Sequence, residues 1–191
     1  MMTFCDAVYQ PRARQSAFAR DMLLVIGGSL LLALSAKIRI GGPIPFTMQP
    51  WAVILLGAAL GSRRGVMAVG TYLLQGLVGL PVFANPGSGP AYFMGPTAGY
   101  LLAFLLAAFV VGQLAELGWD RRFLSAVMAL AIGNAIILAV GALWLSTFVG
   151  FQVAIADGVV KFLIGDALKI LLAATALPAV WKLVGDGHRA A

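Results

Sequence analysis

Apolar residues run along this chain in long blocks, separated by short stretches that are charged or rich in Gly and Pro. Block length is the informative signal, because a helix needs about 20 apolar residues, within about 17–25, to cross the hydrocarbon core of a bilayer. By that measure the sequence predicts six spans: Ala19 to Ile38, Trp51 to Leu60, Gly65 to Leu80, Thr97 to Leu117, Phe123 to Phe148 and Ala154 to Val184. The second is too short to cross unaided. A tilted, partly re-entrant or broken helix is expected there, with protein shielding its ends. The expected organisation is a cytoplasmic N-terminal segment (1–18), one six-span transmembrane domain (19–184) and a cytoplasmic tail (185–191).

Composition supports an all-α integral membrane protein. Of 191 residues, 61% are hydrophobic and 10% are charged, against about 45–50% and about 25% in ordinary soluble domains. With a mean hydropathy of +0.97, most of the outer surface must face something apolar, and lipid is that solvent. The 23 Gly and nine Pro suit helices that approach closely and satisfy freed backbone groups through their neighbours. No removable signal peptide is expected, since the first apolar run is too long for one and lacks a cleavage site.

Charge placement gives the orientation. Lys and Arg accumulate in cytoplasmic loops, and six spans starting inside put Arg12, Arg14, Arg20, Arg63, Arg64, Arg121, Arg122, Lys182 and Arg189 in the cytoplasm, with only Lys37 and Arg39 outside. Both termini are therefore expected inside. The basic residues are scattered between apolar runs rather than gathered on a soluble face, so the high isoelectric point does not point to nucleic acid. Cys5 and His188 are the only residues of their kinds, which excludes a disulfide framework, a thiolate metal site and an HExxH zinc site. No acidic cluster for a metal, GxSxG elbow or Walker phosphate loop is present.

The expected outer connections, residues 41–50 and 81–96, carry no charge and are rich in Gly, Pro and aromatics, a composition that favours packed, shaped loops. Ionisable groups within spans cost about 2.5–3.5 kcal/mol each and are candidates for function. The last span holds four. At about 100° per residue, Asp157 and Lys161 lie about 40° apart on one helix face, and Asp166 and Lys169 about 60° apart on another. Asp166 lies about 15–20 Å from the outer end and Asp157 only about 5 Å. The deep pair therefore points to a polar ligand or pathway, while the outer pair fits an interfacial position with Lys161 snorkelling. The two aspartates are about 180° apart, too far for a shared-proton dyad. In the first span Gly28, Ser29, Ala33 and Ala36 form a small-residue stripe, which suits either bundle packing or docking of another membrane subunit.

Four ordered motifs carry a resemblance: Pro45-Phe46-Thr47-Met48-Gln49, residues 76–84 (GLVGLPVFA), Gly95-Pro96-Thr97-Ala98-Gly99-Tyr100, and residues 162–169 (FLIGDALK). With them the chain resembles BioY, the biotin-capturing S component of energy-coupling-factor (ECF) vitamin importers, over nearly everything beyond residue 20. The family's last motif often begins Pro-Phe where Lys161-Phe162 stands here, which leaves the role of Lys161 open.

The resemblance implies a six-helix S-component bundle with ordered extracellular loops, one of them a lid, in the bacterial cytoplasmic (inner) membrane. It implies biotin as transported ligand and no cofactor or metal. Asn85, Asp166 and Lys169 would form the polar core of the site, with Gln49 and Thr47 as further candidates and Tyr92 and Phe93 as lid or wall. Biotin's ureido N–H groups and carbonyl need a few fixed polar groups in an apolar pocket; Asp166 can accept, Lys169 donate and Asn85 do either. Which group meets the valerate carboxylate, Lys161 and Arg39 included, is left open. The implied partners are a transmembrane coupling subunit and cytoplasmic ABC-type ATPases, with Gly28, Ser29, Ala33 and Ala36 as the expected partner face. Homo-oligomerisation is left open, and nucleic acid is not an expected partner. An S component for another vitamin and a self-sufficient secondary transporter are the alternatives; the latter should show paired broken helices.

Overall fold

Backbone amides have no water to bond in a bilayer core, so long apolar segments must satisfy them internally as helices. A computed structural model describes residues 3–8, 14–40, 45–84 and 87–189, and it is almost wholly helical. The order is α1 (Phe4–Val8), α2 (Arg14–Lys37), a two-residue antiparallel ribbon of β1 (Arg39–Ile40) and β2 (Phe46–Thr47), α3 (Gln49–Leu77), α4 (Ala98–Glu116), α5 (Phe123–Val149), α6 (Phe151–Ile155), a π turn (Ala156–Val160) and α7 (Lys161–Arg189). Four stretches among the described residues are long and apolar enough to span: Ala17–Lys37, Gln49–Leu77, Ala98–Glu116 and Phe123–Val149. This is a membrane protein.

The second and third predicted spans meet in α3, which reverses at Gly61. That residue has φ +81°, a conformation L side chains rarely adopt. A Cβ there would also lie 2.6 Å from both Glu116 and Thr3. The two limbs run antiparallel: Gln49 Nε2 donates to the Tyr72 hydroxyl at 2.6 Å, and a Cβ on Gly65 would sit 3.1 Å from the Gly57 Cα. Glu116 closes the reversal by accepting from the Ser62 backbone N–H at 2.7 Å and the Ser62 hydroxyl at 2.9 Å. A carboxylate at the start of the second limb satisfies an orphan amide and complements the helix dipole. The short block Trp51 to Leu60 is thus one arm of a hairpin, shielded by the other.

The small-residue stripe on α2 is spent inside the chain. Ser29 and Ala36 are fully buried and Ala33 half-buried, and a Cβ on Gly28 would come within 2.9 Å of the Ala68 Cβ and 3.2 Å of Leu56. Gln75 Nε2 donates to the Ser29 hydroxyl at 3.3 Å. The expectation that Gly28, Ser29, Ala33 and Ala36 dock a partner is corrected: they let α2 approach α3. The opposite face of α2, with Leu23, Leu30 and Leu34, is the exposed one.

Basic residues gather at one end of the bundle. Asp6 of α1 pairs with Arg20 at 3.1 Å and Arg64 at 2.9 Å, and Asp21 pairs with the same two arginines at 2.9 and 3.0 Å. Phe4 packs edge-on against Trp181, whose indole donates to Asp120 at 2.6 Å and lies under the Arg121 guanidinium. Short α1 therefore ties α2, the α3 reversal and α7 together. Burial opposes charge on Asp6, but the hydrogen bond from Arg64, that from Thr3 and the Arg64 charge outweigh it, holding the carboxyl below its ordinary value of 3.8. A depressed carboxylate contributes stability above its unfolded-state value and loses it as pH falls through its folded-state value. Asp6→Asn is thus expected to cost about 1 kcal/mol at pH 7. Paired thermal melts should show the gap from wild type shrinking once the pH drops below 3.8; a constant gap would mean the ion network is not its origin.

Candidate functional site

At the end away from the arginine network, five parts of the chain surround a cleft of about 550 Å³ measured to its open mouth. Pro45, Thr47, Gln49 and Pro50 come from β2 and the start of α3. Ala84 and Tyr92 come from the connection after α3, Thr97, Tyr100, Leu101 and Phe104 from the start of α4, Ile137 and Leu138 from α5, and Phe162 from α7. A mostly apolar lining with a few polar side chains is the chemistry of a small-molecule site.

The wall after α3 is seated by one aromatic side chain. Phe83 is fully buried, stacked on Tyr92 at 4.5 Å between centroids and edge-on to Tyr72 and Phe93 at 5.5 and 5.6 Å. Gly76 makes the space for it: a Cβ there would lie 2.0 Å from Phe83 Cζ. Lys37, at the end of α2, donates to the carbonyls of Pro81 and Phe83 at 2.7 and 2.9 Å. The Tyr72 hydroxyl, which receives Gln49, also reaches the Val82 carbonyl at 3.4 Å. An uncharged connection is thereby held as a shaped wall.

Behind the lining sits the ion pair. Asp166 is 2% exposed, its Oδ1 is 3.4 Å from Lys169 Nζ, and its Oδ2 is buried without a hydrogen-bond partner. Lys169 Nζ also donates to the Thr47 carbonyl at 3.0 Å and lies 3.8 Å over the Phe46 ring. Phe46 in turn stacks on Phe162 at 5.4 Å, with Gly165 leaving room for its ring. Trp51 Nε1 donates to the Lys169 carbonyl at 3.1 Å. Asp166 and Lys169 do not border the cleft; they lie about one and two helical turns beyond Phe162, which does. A carboxylate oxygen left unpartnered in this interior is a strong acceptor for any donor brought to it.

Of the residues named from sequence, Thr47, Gln49 and Tyr92 line the cleft, Phe93 supports it through Phe83, and Asn85 lies outside the described residues. Asp157 and Lys161 pair with each other, with Lys161 largely exposed. Sequence reasoning did not name Tyr100, whose hydroxyl donates to the Gly158 carbonyl in the π turn at 2.9 Å, nor Thr97, Leu101, Phe104, Ile137, Leu138 and Phe162. A signal existed for some: Thr97, Leu101 and Phe104 share a helix face at i, i+4, i+7 spacing, and Thr97, Tyr100 and Phe162 fall within quoted motifs.

The profile of the BioY family matches residues 9–186. The chain belongs to the BioY family. It is 37% identical over 170 residues to the probable biotin transporter BioY of Pyrococcus horikoshii, covering 88% of this chain and 98% of that protein. It is 40% identical over 153 residues to the biotin transporter BioY of Thermotoga maritima, covering 80% and 85% respectively. The crystal structure of the S-component for biotin from an ECF-type ABC transporter superposes with a TM-score of 0.78 at 24% identity, over 90% of this chain and 95% of that one. At that identity the likeness speaks for the fold alone.

Proposed function

We propose that this chain captures biotin in the cleft and acts as the substrate-binding S component of an ATP-driven vitamin importer. The observation that carries this reading is a largely apolar cleft, backed one turn deeper by a buried carboxylate oxygen with no partner, in a chain whose BioY relatives are named biotin transporters. Biotin offers the complement: an apolar bicyclic body with ureido N–H donors. Asp166 accepts from one of them and Lys169 balances the charge, while Thr47, Gln49 and Tyr92 shape the walls and Asn85 supplies a further polar group.

In this reading α2, the two limbs of α3, α4, α5 and the α6–α7 helix are six spans, and the arginine-rich end faces the cytoplasm with both termini. The connection carrying Phe83 and Tyr92 is then an extracellular lid. A transmembrane coupling subunit and cytoplasmic ABC-type ATPases supply the energy. Equilibrium binding of radiolabelled biotin to the detergent-purified chain, with thiamine and riboflavin as competitors, tests the proposal. Saturable binding displaced by unlabelled biotin but by neither vitamin is expected. No saturable binding by a monodisperse, folded sample would overturn it.

A further inference from the structure

Nine polar or charged residues are buried among those described: Thr3, Ser29, Ser35, Thr47, Gln49, Ser62, Asp120, Asn134 and Asp166. Eight have a side-chain hydrogen bond. Asn134, 7% exposed on α5, has none. Its carboxamide atoms are not among the fully enclosed unpartnered ones, so they keep a little accessible surface and stay open to a partner that the protein itself does not supply.

Its place in the fold gives the reason. Asn134 is one helical turn from Ile137 and Leu138, which line the cleft, just as Asp166 is one turn from Phe162. A Cβ on Gly158 would lie 2.8 Å from Leu145, and Asp120 just before α5 bonds Trp181, so α5 and α7 run antiparallel. Counting inward from both contacts at roughly one residue per residue sets Asn134 about level with Asp166 to Ile170. Two unpartnered polar groups, the Asn134 carboxamide and Asp166 Oδ2, therefore sit at the same depth on packed helices, both one turn below the lining.

We propose that Asn134 is a second ureido acceptor: its carboxamide oxygen takes one ring N–H of the ligand while Asp166 Oδ2 takes the other. This deepens, and rests on, the reading of the cleft as a biotin site. A cyclic urea carries an N–H on each side of its carbonyl, and one carboxylate oxygen satisfies only one of them. The other would be buried unpaired without a second acceptor. Asn134 thereby makes the pocket selective for ligands with two N–H groups over those with one, since a site built around a hydrogen bond rejects the analogue lacking it.

The test uses the full chain, purified in detergent, with biotin and its two carbamate analogues, in which one or the other ureido N–H is replaced by a ring oxygen of nearly equal size. Wild type is expected to bind each analogue at least about 10-fold more weakly than biotin. Asn134→Leu, close in volume, is expected to bind biotin about 10-fold more weakly and to lose its preference against one analogue, to within about three-fold, while keeping its preference against the other. Asn134→Ala supplies the same readout should the leucine variant fail to elute as a monodisperse peak. Wild-type preference against both analogues in either folded variant overturns the assignment and leaves Asn134 as a water-binding or packing residue. Absence of biotin binding by wild type overturns the parent reading together with this one, so the two failures are distinguishable.

Discussion

Asp166→Asn is expected to weaken biotin binding by about 100-fold or more, whereas Asp157→Asn should leave it within about two-fold. The contrast follows from placement. Asp166 and Lys169 have side chains 3% and 11% exposed, against 40% and 69% for Asp157 and Lys161. Neutralising Asp166 leaves the Lys169 ammonium buried without its counter-charge, and breaking such a pair costs about 3–5 kcal/mol. The same change converts the unpartnered Oδ2 into part of an amide, a weaker acceptor that presents a donor in one of its two orientations.

Loss of fold and loss of binding must be separated, because the stranded lysine alone destabilises. Asp166→Asn combined with Lys169→Met removes both charges, and its thermal midpoint is expected to return toward wild type while binding stays lost. Equal affinity of wild type and Asp166→Asn, by equilibrium titration of purified protein, would sink the assignment of Asp166 as the ureido acceptor.

The second large effect is expected from Phe83→Ala. A fully buried Phe truncated to Ala costs about 3–5 kcal/mol when the cavity cannot collapse, and here the ring is wedged among Tyr72, Tyr92, Phe93 and the bare Gly76 backbone. Tyr92 lines the cleft and loses its stacking partner, while the Lys37 bonds to Pro81 and Phe83 run to backbone and survive the change. The connection should therefore open without unfolding the bundle. Biotin dissociation is expected to accelerate about 10-fold or more in a pulse-chase measurement, with a smaller change in association. Gly76→Ala attacks the same contact from the other side, since its Cβ would overlap the Phe83 ring, and should give the same kinetic signature. A wild-type dissociation rate in both variants would mean that this connection does not gate the site.

Residue chemistry and spacing alone determined a good part of this protein. Block length located the long helices and left a gap between Leu60 and Gly65, within which the structure reverses α3 at Gly61, because a segment must be about 20 apolar residues long to cross a bilayer. The i, i+3 spacing of Asp166 and Lys169 predicted a pair that the structure contains, since helical geometry is local. The lack of charge in residues 81–96 predicted a packed connection, and Phe83, Tyr92 and Phe93 make it one.

Tertiary structure decided which faces look inward. In water an amphipathic stripe marks the buried side of a helix, but lipid tails are as apolar as a leucine core, so the pattern along α2 did not tell the face toward α3 from the face toward lipid. Gly28, Ser29, Ala33 and Ala36 suited either a partner or the bundle; the close approach of Ala68 and Leu56 to Gly28 settled it. The same holds for the cleft, whose lining comes from segments far apart in sequence. Asn134 is ordinary as a letter in an apolar helix. It becomes informative only when each of the other eight buried polar residues among those described is seen to make at least one side-chain hydrogen bond, because hydrogen bonding in a bundle depends on which helices meet and at what depth.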